Sequence, residues 1–124
     1  MSYFDRHDLE VNFGGPRPRI VCLCGSTRFV DEFNRQRKEL TEAGEIVLSI
    51  EVVTTQAREH DPQHTNVELK VRLDELHKRK IDLADYVFVL NVGGYIGDST
   101  RSEIEYAEKL GKPLCYLEPR RDHA

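Results

Sequence analysis

Four short apolar runs punctuate the chain, and between them lie longer segments whose apolar residues recur at helical spacing. Ile20-Val21-Cys22-Leu23-Cys24 is continuously apolar and stops at Gly25, the pattern of a strand covered on both faces. Ser26 follows and can cap a helix whose stripe is Phe29, Val30, Phe33, Arg37 and Leu40, ending at Gly44. Ile46 to Ile50 predicts a second buried strand. Residues 54–65 are polar, with His60-Asp61-Pro62 of turn character, and predict a long loop of the kind that serves as a lid or binding segment. Val67, Leu69, Leu73, Leu76 and Lys80/Ile81 predict a helix over 66–83. Tyr86 to Leu90 is the third strand. Gly93-Gly94-Tyr95-Ile96-Gly97 is a flexible loop, and Thr100 to Leu110 is a helix stopped by Gly111. Pro113 to Leu117 is the fourth strand.

A βαβαβαβ order separates the strands by helices, so they pair in parallel. The expected fold is a Rossmann-like (flavodoxin-like) three-layer α/β domain with a parallel sheet of four or five strands, spanning 19–124. Residues 1–18, polar and carrying Gly14, Gly15, Pro16 and Pro18, read as an irregular arm. Ligands of such sheets sit beyond the carboxyl ends of the strands, near the reversal of strand order. That singles out Gly25–Arg28, the 54–65 loop and Gly93–Glu103.

Composition narrows the function classes. Hydrophobic residues make 39% and charged residues 32% of 124 positions, as in ordinary globular proteins. Lys+Arg 18 against Asp+Glu 22 gives −4, which argues against a generic nucleic-acid binder. The uncharged stretch Tyr86–Gly97 is too short and glycine-rich to span a bilayer, and Met1–Asp8 lacks an apolar signal core. Cys22, Cys24 and Cys115 are an odd number in apolar runs, with no CxxC or Cys/His spacing. They read as reduced, buried thiols of a cytoplasmic protein, with neither a disulfide framework nor a zinc site.

Two loop-to-helix junctions carry candidate chemistry. At Gly25-Ser26-Thr27-Arg28, a close turn, two hydroxyls, a helix N-terminus and a guanidinium make a site for a phosphate or carboxylate. The segment is neither a GxGxxG nor a GxxxxGK[ST] loop. Alternatively, Gly25 only turns the chain and Ser26 only caps. At the second junction, Thr100 and Glu103 fit a capping box. Yet the segment follows a glycine loop at a strand's carboxyl end, where a carboxylate in the first helical turn faces the cleft. His60 and His64 read as solvated loop residues, and Asp85 as a strand-start residue bonding nearby backbone.

Three segments together resemble the nucleoside 2-deoxyribosyltransferase-like superfamily, which includes deoxyribosyltransferases and nucleoside 5′-monophosphate N-glycosidases. They are Leu23-Cys24-Gly25-Ser26-Thr27-Arg28, Ala84-Asp85-Tyr86-Val87-Phe88-Val89 and Glu103-Ile104-Glu105-Tyr106-Ala107, and the likeness covers roughly 20–118. The resemblance implies that Glu103 is a nucleophile. It also implies that Ser26 and Arg28 lie on the phosphate side, favouring a nucleoside monophosphate as substrate. The family often places an acid eight positions before the strand aspartate; here His77 stands there, as a general acid or as a solvated residue beside Lys78, Arg79 and Lys80. Asp74 could orient or replace it. The chain also departs in ending soon after its fourth strand, where the family usually has a fifth.

Cleaving an N-glycosidic bond builds positive charge on C1′. A carboxylate can attack that carbon from the face opposite the base, while protonation helps the base leave. Water or another base then completes hydrolysis or transfer, with no cofactor or metal required. Tyr95 and Asp98 on the glycine loop, and Ser102 beside Glu103, are candidates to contact sugar or base, although Asp98 also suits a plain turn. The resemblance further implies a homodimer or higher homo-oligomer. Competing classes are a non-catalytic nucleotide sensor, a TIR-like NAD glycohydrolase and a structural protein with a vestigial pocket.

Overall fold

The computed structural model describes residues 17–50 and 67–120. Strands β1 (Ile20–Cys24), β2 (Ile46–Leu48), β3 (Tyr86–Val89) and β4 (Leu114–Tyr116) form one sheet in the order β2-β1-β3-β4, with every pairing parallel. Helix α1 (Val30–Glu42) joins β1 to β2; α2 (Val67–Leu83) precedes β3; α3 (Asp98–Leu110) joins β3 to β4. Two cores flank the sheet. Val21, Leu23, Tyr86, Phe88 and Leu90 pack against Phe33 and Leu40 of α1. Cys22, Cys24, Val87 and Val89 pack against Ile81 of α2 and Ile104 and Ala107 of α3. Alternate residues of β1 and β3 thus feed opposite cores, which explains their unbroken apolar runs. The result is the expected three-layer α/β fold. No helix among the described residues is long and apolar enough to cross a membrane.

The element ends follow local chemistry. Ser26 Oγ accepts from the Arg28 amide at 3.2 Å, but what it caps is a 3-10 turn over Thr27–Phe29 that leads into α1. After α1 the chain turns at Gly44, at φ +92°. Helix α3 closes with a Schellman pair, Gly111 N to Glu108 O and Lys112 N to Ala107 O, both at 3.0 Å. Asp85 Oδ2 accepts from the Ile20 amide at 2.8 Å, and Arg17 clasps both carboxylate oxygens at 2.9 Å. The start of β3 is thereby tied to the start of β1, the backbone-bonding role read for Asp85.

Three expectations need correction. The second strand is a three-residue edge rather than a strand buried through Ile50, and Ile46 is 41% exposed, with no strand among the described residues on its outer side. On α2, Leu76 lies outward and His77 faces the core with Ile81. Helix α3 begins at Asp98 with Gly97 as its N-cap, which displaces the Thr100–Glu103 capping box. Thr100 is already inside the helix and Glu103 stands in its second turn. The 54–65 loop, with His60 and His64, lies outside the described residues.

Candidate functional site

The sheet order reverses between β1 and β3, and the chain leaves their carboxyl ends through Gly25 and Leu90. Space opens there because the two crossovers depart to opposite faces. A cleft of about 320 Å³ lies at this point. Its walls include Gly25, Ser26 and Thr27 from the first junction, Asp98 and Glu103 from the second, and Asp74 from α2. A neighbouring hollow shares Asp74, Asp98 and Glu103 and adds Ser102. The two loop-to-helix junctions singled out in the sequence therefore meet at one opening.

Gly25 is fixed there by space rather than by dihedral. A Cβ on it would lie 3.2 Å from both the Leu90 carbonyl oxygen and Phe33 Cζ. Tyr95 stands at the rim, edge-on to Phe29 at 5.9 Å between centroids. The Arg28 guanidinium lies over its ring at 4.2 Å and donates to its hydroxyl at 3.3 Å. Arg28 is exposed and does not line the cleft; it borders it, joined to Tyr95. Lys70 does line it, 2.8 Å from Asp74. Sequence reasoning missed Lys70, whose only signal is its place one helical turn before Asp74.

Beneath the cleft, Glu103 is 8% exposed. Its Oε1 lies 3.8 Å from His77 Nε2. Burial raises the Glu103 carboxyl above the usual range, while His77 and Cys24 oppose the shift. His77 is 4% exposed, with Nε2 3.4 Å from Cys24 Sγ and 3.7 Å from Cys22 Sγ. Burial opposes charging its ring, but the bond to Cys22 and the charge of Glu103 leave the net shift upward. The bond from Cys24 lowers Cys22 to about 6, and the same contact with burial pushes Cys24 well upward.

His77 is thus not a solvated helix residue. Its Nε2 faces the thiols, and the ring does not line the cleft. The sequence has no CxxC or Cys/His spacing, yet the fold gathers Cys22, Cys24 and His77 with their donor atoms within 4.8 Å of one another. Cys22 and Cys24 are two apart on one strand and so share a face, which a search for CxxC spacing overlooks. All three cysteines are free and buried, as read.

No family model and no curated protein matches the sequence. Among solved structures, a 2-deoxyribosyltransferase from the psychrotolerant bacterium Bacillus psychrosaccharolyticus is similar, at TM-score 0.59 and 16% identity, over 82% of this chain and 74% of that chain. The protein therefore has a nucleoside 2-deoxyribosyltransferase-like fold.

Proposed function

We propose that the protein cleaves the N-glycosidic bond of a nucleoside 5′-monophosphate, releasing the base to water or exchanging it for another. The observation that carries this reading is the placement of Glu103. It is a carboxylate held by the core, opening into the same cleft as the Gly25–Thr27 turn. The likeness of fold to a 2-deoxyribosyltransferase adds support.

In this reading Glu103 attacks C1′ as the bond to the base breaks, giving a glycosyl ester that water or a second base then resolves. His77 is a positioning residue: wedged between the thiols and Glu103, it fixes the carboxylate from below. The proton for the departing base comes from the solvent-facing wall, where Asp74 shares the cleft with Glu103. The phosphate lies at the first junction, against the Gly25 backbone and the Ser26 and Thr27 hydroxyls, with Arg28 reaching in from the rim. Asp98 and Tyr95 contact the sugar or base. The protein acts as a homodimer. Helix α2 bears exposed Val67 and Val71 beside the cleft residues Lys70 and Asp74, a surface on which a second copy can close the opening. Sedimentation giving only monomer at micromolar concentration would remove that element.

The test is incubation with a panel of nucleoside monophosphates and the matching nucleosides, with and without a second base, followed by chromatography for free base. Release from at least one monophosphate is expected. Arg28→Ala should weaken binding of the monophosphate about 10-fold or more and spare the nucleoside. Absence of release across the panel would overturn the reaction, and equal losses for the two ligands would overturn the phosphate assignment.

A further inference from the structure

We propose that Cys22, Cys24 and His77 form a binding site for a thiophilic divalent cation, zinc(II), with Glu103 as the ligand on the cleft side. The donor set comes from three elements held rigidly against one another. Cys22 and Cys24 project from the same face of central strand β1, His77 from α2, and Glu103 from α3. A tetrahedral zinc ion with bonds of about 2.3 Å to sulfur and about 2.0–2.1 Å to nitrogen separates those two ligand atoms by about 3.6 Å. The His77 Nε2 to sulfur distances, 3.4 and 3.7 Å, bracket that separation. The tetrahedral edge from nitrogen to a carboxylate oxygen is about 3.4 Å. Glu103 Oε1 stands at 3.8 Å from Nε2, within the reach of a small side-chain adjustment.

His77 is 4% exposed, and its Nε2 faces the two thiols and Glu103. With its proton on Nδ1, the Nε2 lone pair points between two sulfurs, the orientation of a metal ligand. Two thiols and an imidazole are a soft donor set that selects zinc over magnesium or calcium. On binding, the protons that the cluster holds on sulfur, on Nε2 and on the carboxyl pass to solvent, and the two thiolates and the Glu103 carboxylate more than balance the ion's charge. The ion enters through the cleft, which Glu103 alone of the four ligands lines.

The consequence for turnover rests on the proposed role of Glu103: a carboxylate bound to zinc cannot attack C1′, so zinc would inhibit. The site itself stands independently of the reaction, and its test does not use activity. The full chain, reduced and metal-free, is titrated with zinc(II) by calorimetry and with cobalt(II) by absorption. Expected are one tight zinc equivalent and, with cobalt, thiolate charge-transfer bands together with the visible bands of a tetrahedral ion. Cys22→Ser, Cys24→Ser and His77→Ala should each weaken zinc binding at least 10-fold and remove or shift the cobalt bands. Cys115→Ser, on the opposite core, should bind as the unaltered protein does. Should a cysteine variant fail to fold, X-ray absorption of the unaltered zinc-loaded protein decides: two sulfur ligands support the site, and an all-nitrogen-and-oxygen shell overturns it. Absence of a tight equivalent, or binding indifferent to all three substitutions, also overturns it. Because binding is read without substrate, a protein that binds zinc but cleaves nothing when metal-free refutes only the reaction, and one that cleaves without binding zinc refutes only this site.

Discussion

Glu103 is a carboxylate held where charge is disfavoured, and that single fact yields opposite forecasts for activity and stability. Glu103→Gln removes the negative charge and nucleophile while keeping the shape, so base release should fall by orders of magnitude. Burial raises the carboxyl in the folded state. Its favourable contribution is therefore complete below the unfolded value of about 4.3 and is lost as pH rises through the folded value. At neutral pH, Glu103→Gln should melt no lower than the unaltered protein, and higher if desolvation dominates; near pH 4 the two should converge. Thermal melts across that range, beside chromatographic assays, check both halves. Glu105 is the control. It lies two residues on, about 200° around the helix, and is exposed, so Glu105→Gln should be mild in both measurements. Loss of turnover in Glu105→Gln with Glu103→Gln active would show that the wrong glutamate has been assigned. The place of Glu103 at the cleft is legible in the sequence because its motif is local. The surroundings of His77 are not. The thiols lie more than fifty residues away, and the periodicity of α2 offers Leu76 for the inward place that His77 takes.

Helices and strands here are joined at a few polar or tightly packed points, and two of these invite measurement. The pairing with Arg17 lowers the Asp85 carboxyl. Its contribution is present above the unfolded value of about 3.9 and is lost as pH falls through the folded value. Asp85→Asn keeps an acceptor for the Ile20 amide and loses the ion pair. Since the pair is largely solvated, with Asp85 34% and Arg17 56% exposed, the loss at neutral pH should be small, and it should vanish in acid; denaturant titrations at both pH values read it. The other point is Gly25. An added methyl meets the Leu90 carbonyl and Phe33 at 3.2 Å, on the seam between β1, β3 and α1. Gly25→Ala should cost about 1–3 kcal/mol in the same titrations. An unchanged midpoint would mean that the seam is looser than these distances imply. Central strands and helix ends of this kind are readable in advance, since β1 and β3 are unbroken apolar runs and Gly44 and Gly111 stop their helices. The start of α3 is not readable in that way. Thr100 and Glu103 satisfy the spacing of a capping box, but Gly97 takes the N-cap position, and Glu103, already inside the helix, lies 3.8 Å from His77.

At the scale of the whole molecule, the cleft spans the one place where the crossovers part, so a ligand there touches residues from both halves of the sheet. The Gly25–Thr27 turn follows β1, Asp98 and Glu103 belong to α3 beyond β3, and Asp74 comes from α2. An occupant that binds all three should stabilise the native state as a unit, by RT ln(1 + [L]/Kd), or about 2.7 kcal/mol at a hundredfold excess over Kd. For a domain of this size that raises Tm by about 10 °C. The unaltered protein would consume such a ligand, so the measurement belongs in Glu103→Gln, whose neutral amide keeps the cleft's shape and cannot attack. A nucleoside monophosphate should raise the Tm of that variant more than the matching nucleoside does. Adding Arg28→Ala should erase most of the difference between the two, because the extra stabilisation comes from the phosphate at the first junction. A nucleotide sensor would show the same shifts with no base release from the unaltered protein, and a structural protein with a vestigial pocket would show neither. Equal shifts for monophosphate and nucleoside in Glu103→Gln would place the phosphate outside the Gly25–Arg28 turn, leaving Lys70 on the far wall as the cation to substitute next.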